Sequence, residues 1–164
     1  MKIGTYSFPG AYTCYAYFGI NSGYPFAFQN SATGEYLSAI SNTTLKQISS
    51  AHTDPRLWFT FDTLTFQMKS SYNGLCLDDL GRGYSPSSST NDTVVFTKCR
   101  KSSTQQFVYD EGIKRIFNPN NGYEKCFDGN SSYPSIFLWN CLLGGADLGW
   151  NILLICPPGI VISY

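Results

Sequence analysis

Residues 115–129 read RIFNPNNGYEKCFDG, residues 136–141 read IFLWNC, and residues 147–153 read DLGWNIL. Short aromatic or β-branched runs alternate here with clusters of Asn, Gly and Pro, which predicts short strands joined by turns. No apolar stripe at helical spacing lasts three turns, here or elsewhere in the chain. The same order recurs upstream in FQMKSSYNGLCLDD (66–79), VVFTKC (94–99) and TQQFVYD (104–110), and more loosely in FAFQNSATGEYLSAI (26–40) and PRLWFTFD (55–62). Each copy opens on an aromatic-containing strand and turns through a glycine, Gly34, Gly74 or Gly122. Each ends on an aromatic, Trp58, Phe107 or Trp150, and these lie 49 and 43 residues apart. A period in that range marks copies of one supersecondary unit that cannot bury its apolar face alone. Propeller blades have a similar period but come in larger numbers, and HEAT repeats are helical. The expected architecture is all-β, a β-trefoil of three repeated four-strand units. The expected boundaries are an N-terminal extension over 1–22, repeats near 23–62, 63–110 and 111–153, and a tail over 154–164.

The 164 residues suffice for one domain. The chain is 43% hydrophobic and 16% aromatic, so a core is available and disorder is opposed. Lys plus Arg and Asp plus Glu are 11 each, giving no net charge. That balance opposes a nucleic-acid partner, which would need a basic stripe, and an electrostatic membrane binder. No apolar run approaches the ~20 residues of a membrane span, and the first ten residues lack the apolar core of a signal peptide.

Six cysteines are present: Cys14, Cys76, Cys99, Cys126, Cys141 and Cys156. None forms a Cys-x-x-Cys pair, and the single histidine, His52, lies far from all of them, which opposes a zinc site. Six cysteines allow 15 pairings. Three Asn-x-Ser/Thr sequons, at Asn42, Asn91 and Asn130, fall in polar, turn-like stretches. With the cysteines they predict a secreted or extracellular glycoprotein.

The three copies resemble the Q-x-W repeats of the ricin B-type lectin family. That family's repeat runs strand, Gly turn, C-[LV]-D, loop, an apolar-aromatic strand ending in Cys, then Q-x-W. The second copy has Cys76-Leu77-Asp78, Cys99 and Gln105-Gln106-Phe107. The third has Cys126-Phe127-Asp128, Trp139-Asn140-Cys141 and Leu148-Gly149-Trp150. The first has Tyr36-Leu37-Ser38 and Arg56-Leu57-Trp58, lacking both the Cys and the acid. The resemblance covers about residues 23–153. It implies disulfides Cys76–Cys99 and Cys126–Cys141, leaving Cys14 to pair with Cys156.

The resemblance also implies a shallow sugar site in each intact repeat. A carboxylate accepts hydrogen bonds from sugar hydroxyls, an aromatic ring stacks on the sugar's C–H face, and a polar residue before the Q-x-W adds a hydrogen bond. The third repeat supplies Asp128, Trp139 and Asp147 for these roles, with Leu148 where the family has Gln. On period-2 alternation, Phe137 and Trp139 share one face of their strand, and Ile136 and Leu138 the other. The second repeat supplies Asp78, with Gln105 and Thr104 as polar partners. Thr97 takes the ring position there, so a ring would have to come from Tyr84 or Phe96. Ser38 leaves the first repeat without an acid. Trp58, Phe107 and Trp150 are expected in the core. Asn130 lies two residues from Asp128, where a glycan would crowd the site.

No cofactor or metal is expected. The chain shows no phosphate loop, and His52, in a polar loop, has no nucleophile partner, so the expectation is a binding protein and not an enzyme. Its expected partners are glycans or glycoproteins, galactose or N-acetylgalactosamine by resemblance. The alternative is a trefoil without sugar binding that serves as a protein-interaction or structural module among extracellular protein subunits. A trefoil protease inhibitor is a third class, for which the chain offers no recognisable reactive loop.

Overall fold

A computed structural model describes residues 4–7, 13–16, 25–51, 53–80, 93–120, 125–129, 136–143, 145–156 and 160–163; for 4–7, 13–16, 143, 154–156 and 160–163 it describes the backbone only. Asn91, Asn130, His52 and Tyr84 lie outside the described residues, as do the side chains of Cys14 and Cys156. Strand β1 (Gly4–Ser7) pairs with β2 (Thr13–Ala16) in a hairpin.

Twelve strands then follow in three sets of four. The first set is β3 (Phe26–Asn30), β4 (Tyr36–Ala39), β5 (Leu45–Ile48) and β6 (Phe59–Asp62). The second is β7 (Gln67–Ser70), β8 (Cys76–Asp78), β9 (Val95–Thr97) and β10 (Val108–Asp110). The third is β11 (Arg115–Phe117), β12 (Cys126–Asp128), β13 (Phe137–Trp139) and β14 (Trp150–Cys156). Strand β15 (Ile160–Ser163) then pairs with the far end of β14.

The outer strands of the sets close a six-stranded barrel. Strand β3 pairs with β6, β6 with β7, β10 with β11, and β14 with β3, all antiparallel. Two single contacts complete the ring. Phe107 N donates to Phe66 O at 2.8 Å, and Trp150 N donates to Lys114 O at 2.9 Å. Phe66 and Lys114 are held at φ 58° and 53°, which turns their carbonyls toward the last strand of their own set. The inner strands form three hairpins, β4–β5, β8–β9 and β12–β13. These meet where Thr44 faces Val95 and Thr93 faces Phe137, and where Ile136 N donates to Leu45 O. This is the β-trefoil that the threefold sequence pattern predicts.

Local chemistry makes each turn. Gly34 and Gly74, at φ 73° and 70°, donate to Asn30 O and Ser70 O and fold each first strand into the next. Asp62 Oδ1 accepts from Leu64 N and Thr65 N, and Asp110 Oδ1 from Gly112 N and Ile113 N, capping the turns between sets. No helix among the described residues exceeds a single 3₁₀ turn, and none is long and apolar enough to cross a membrane.

The core gathers one residue of each kind from every set. Leu37, Leu77 and Phe127 point inward from the inner strands, and Leu45, Val94 and Ile136 from the hairpin partners, all at most 2% exposed. Phe59, Phe107 and Trp150, each fully buried, fill the layer below. Phe59 replaces the expected Trp58. The 3₁₀ turn Pro55–Leu57 buries Leu57, Trp58 N closes that turn onto Pro55 O, and the next residue is the first to enter the barrel. The same offset holds after Ser103–Gln105 and Ala146–Leu148, so the first repeat's motif reads Leu57-Trp58-Phe59. Trp58 instead lies half-buried on an outer cluster with Ala27, Leu57 and Leu153. Two disulfides join Cys76 to Cys99 and Cys126 to Cys141, and no described cysteine is free.

Candidate functional site

Each repeat sets the end of its second strand against its 3₁₀ turn, and the three resulting sites differ. The ladder decides which side chains share a face. Cys126 faces Trp139, Phe127 faces Leu138 and Asp128 faces Phe137. Phe127 and Leu138 are buried, at 0% and 1% exposed. Alternation therefore puts Cys126, Asp128, Phe137 and Trp139 on the outer face. Trp139 is 40% exposed, and its ring meets that of Phe137 edge-on at 6.2 Å. Asp128 is 7% exposed at the lip of the same face.

The turn Ala146–Leu148 lies over this strand end. Asp147 O accepts from Gly129 N at 3.0 Å and from Asn30 Nδ2 at 2.7 Å. Asp147 is partly exposed, and its carboxylate folds back over Gly145. A Cβ at position 129 would crowd Gln47 Oε1, Asn30 Nδ2 and the Trp150 ring, so a larger residue there would have to displace those side chains. Leu148 has no amide to offer Asp128. It packs instead with Phe117, Cys126 and Cys141 in a small apolar cluster. The structure thus brings Asp128, Trp139 and Asp147 to one end of the third repeat.

The second repeat is arranged differently. Asp78 is fully buried, and its Oδ2 accepts from Thr97 Oγ1 at 2.7 Å, Arg100 Nη2 at 3.0 Å and Gln105 Nε2 at 3.1 Å. Its Oδ1 accepts from Leu80 N at 2.8 Å. Burial pushes this carboxyl up, but the bonds from Thr97, Leu80 N and Gln105 outweigh it and hold the group below the usual carboxylate range. Gln105 is also buried and spent within the protein. Its Nε2 reaches Thr97 Oγ1 and Lys98 O, and its Oε1 accepts from Gln67 Nε2 and Arg100 N. Phe96, one of the two residues considered as a replacement ring, is 2% exposed and stacks on Phe59 in the core, so it cannot meet a ligand. Asp78 and Gln105 lock three strands together, with Thr97 filling the space where a ring would stand.

This arrangement predicts that Asp78→Asn lowers stability. An amide in place of Oδ2 confronts three donors with at most one acceptor, at about 1–3 kcal/mol. Chemical denaturation of the variant checks this, and an unchanged midpoint would refute the locking role.

The first repeat has no acid. Ser38 is fully buried, and its hydroxyl has no hydrogen-bond partner among the described residues. Arg56, at the position of Asp147, is clamped by Asp54 through Nε at 3.0 Å and Nη2 at 2.6 Å. That guanidinium holds the Asp54 carboxyl at about 2, against the effect of its burial, with Arg56 N and Ser50 adding to the pull.

Arg100 and Arg115 were not singled out from sequence. Arg100 reaches Asp78 from 22 residues away. Arg115 Nη2 lies 3.4 Å from Gly145 O, and burial lowers its pKa while the charges of Asp147 and Asp128 raise it. The available signal for Arg115 was its strand parity with Phe117, the residue that packs beneath Leu148.

Residues 25–150 match the family model of the ricin-type beta-trefoil lectin domain, and the chain belongs to that family. No curated protein sequence matches it. Among solved structures it is similar to a non-toxic homologue of type II RIPs from Momordica charantia (bitter gourd), solved with α-methyl-D-galactoside. Identity there is 19%, the TM-score is 0.62, and the match covers 79% of this chain and 48% of that one. The agglutinin from Abrus precatorius shares 17% identity at a TM-score of 0.61, covering 79% and 47%. The designed threefold-symmetric ThreeFoil shares 16% at 0.59, covering 78% and 96%. The chain therefore spans about half the length of the two plant proteins. Its class is the ricin-type β-trefoil lectin domain.

Proposed function

We propose that this chain is a secreted carbohydrate-binding module whose working site is in the third repeat. Asp128 is the hydroxyl acceptor, Trp139 the stacking platform and Asp147 an auxiliary acceptor. The observation that carries the reading is the exposed Trp139 ring on the same strand face as Asp128. Galactose or its N-acetylamino derivative is the proposed sugar. In support, the bitter gourd homologue was solved with a galactoside. Secretion draws support from the two disulfides and from the exposed sequon residue Asn42, the proposed glycan carrier together with Asn91 and Asn130. Residues 1–22 and 154–164 are read as extensions flanking the module.

A second reading has an observation of its own. Asp78 is saturated by internal donors and Ser38 replaces the first acid, so two of three sites are closed. A trefoil that has lost sugar binding would serve as an interaction module for other extracellular proteins. A glycan array on the purified chain decides between the two. Binding is expected for galactose-terminated glycans. A single shallow site binds near millimolar, about 4 kcal/mol, so the array must present the sugars densely. Silence on every glycan would leave the interaction module as the surviving reading.

A further inference from the structure

The third site holds a cation whose donors the protein leaves largely unspent. Arg115 opens β11, and Ile116 beside it is fully buried in the core, so Arg115 and Phe117 face outward together. Phe117 packs against Leu148 in the turn that carries Asp147. Arg115 therefore lies on the side of the barrel where that turn sits. Its Nη2 reaches Gly145 O, and Gly145 is the residue over which the Asp147 carboxylate folds. Asp147 O is in turn bonded to Gly129 N, next to Asp128. Asp110, opposite Arg115 in the ladder, spends its Oδ1 on Gly112 N and Ile113 N. The guanidinium has five N–H donors, and a single long bond to Gly145 O is its whole hydrogen bonding among the described residues. In the second repeat the equivalent position is Gln67, whose amide is spent on Arg100 O and Gln105 Oε1.

We propose that Arg115 sets the specificity of the third-repeat site, selecting a sugar that presents an uncharged acceptor oxygen, an acetamido carbonyl, beside the hydroxyls taken by Asp128 and Asp147. The proposal rests on the reading of that repeat as the sugar site. The two carboxylates accept hydrogen bonds but donate none, so they cannot recognise an acceptor on the ligand. Arg115 is the neighbouring donor that can. Asp128 and Asp147, together with Asp110 opposite Arg115 in the ladder, outnumber the guanidinium, and this excess of negative charge repels a sugar carboxylate. An acetamido oxygen satisfies the guanidinium without that repulsion.

The test is titration by NMR of the whole chain with three methyl glycosides: galactose, N-acetylgalactosamine and galacturonic acid. The wild type is expected to bind the acetamido sugar about fivefold tighter than galactose, the worth of one hydrogen bond, and the uronic acid weakest. Arg115→Met, which has similar reach but no donor, is expected to bring the acetamido-to-galactose ratio close to one. Arg115→Lys keeps the charge but loses the planar fork, and a partial ratio is expected. A wild type that binds both neutral sugars equally or prefers the acid overturns the proposal without needing any variant. So does Arg115→Met if it weakens both neutral sugars in parallel and keeps the ratio. Binding of none of the three by the wild type rejects the sugar-site reading itself, a different failure.

Discussion

Trp139→Ala is expected to abolish measurable glycan binding while leaving the fold in place. The ring is 40% exposed, so it contributes little to the core that Leu138 and Ile136 fill from the other face. Its loss removes the apolar platform on which a sugar's C–H face rests. Asp128→Asn is the companion variant. It replaces charge-assisted hydrogen bonds with neutral ones and forfeits roughly 1.5–3 kcal/mol, a ten- to hundredfold loss or more. From a millimolar start, either loss falls below detection. Asp78→Asn, by contrast, should shift stability and spare binding. Titration of all three variants on the best array glycan checks the assignment. Binding that survives Trp139→Ala and Asp128→Asn but disappears with Asp78→Asn would move the site to the second repeat.

Trp150→Ala is expected to cost about 3–5 kcal/mol, the range for deleting a fully buried aromatic. A domain of this size has only about 5–15 kcal/mol in total, so the variant should be partly unfolded near physiological temperature. Trp150 is where four devices converge. Its side chain is fully buried, its Nε1 donates to Phe127 O at 3.0 Å, and its backbone closes the barrel through Lys114 O while its own carbonyl accepts from Tyr109 OH. Trp150→Phe keeps most of the apolar area and loses the indole donor, so a smaller loss is expected. Trp58→Ala is the informative control, because Trp58 lies half-buried outside the barrel. Urea midpoints should rank Trp150→Ala as by far the most damaging. Equal damage from Trp58→Ala would contradict the one-residue offset that puts Phe59 in the core.

That offset shows where sequence reasoning reached its limit. Alternation in β13 was legible because period 2 is a property of the strand alone, and Ile136 and Leu138 did turn inward. The first repeat was misread because two aromatics, Trp58 and Phe59, stand side by side at its end. The larger one drew the assignment, yet the 3₁₀ turn Pro55–Leu57 counts residues without regard to size. The threefold recurrence was legible because the same turn chemistry recurs, with glycines at 34 and 74 on the same side of the map. The closure of the second site was not legible. The donors that saturate Asp78 come from positions 97, 100 and 105, and only the folded chain shows that all three converge on one oxygen. Arg115 was hidden for a similar reason, since it approaches the third site from a strand that precedes the C-x-D motif.

The seam between β3 and β14 governs how the molecule comes to exist. Asn30 reaches across it to Asp147, 117 residues away, and the ladder there runs from Trp150 opposite Asn30 to Leu154 opposite Phe26. Contacts of such separation are slow to form, because the loop-closure entropy falls due before the contacts reward it. On a ribosome, Phe26 and Phe28 emerge before β14, the strand of the third repeat that pairs along the whole of β3. The barrel cannot close around β3 until the third repeat supplies β14. A chain cut before Trp150 leaves β3 without this partner, and an unpaired strand edge of that kind promotes aggregation.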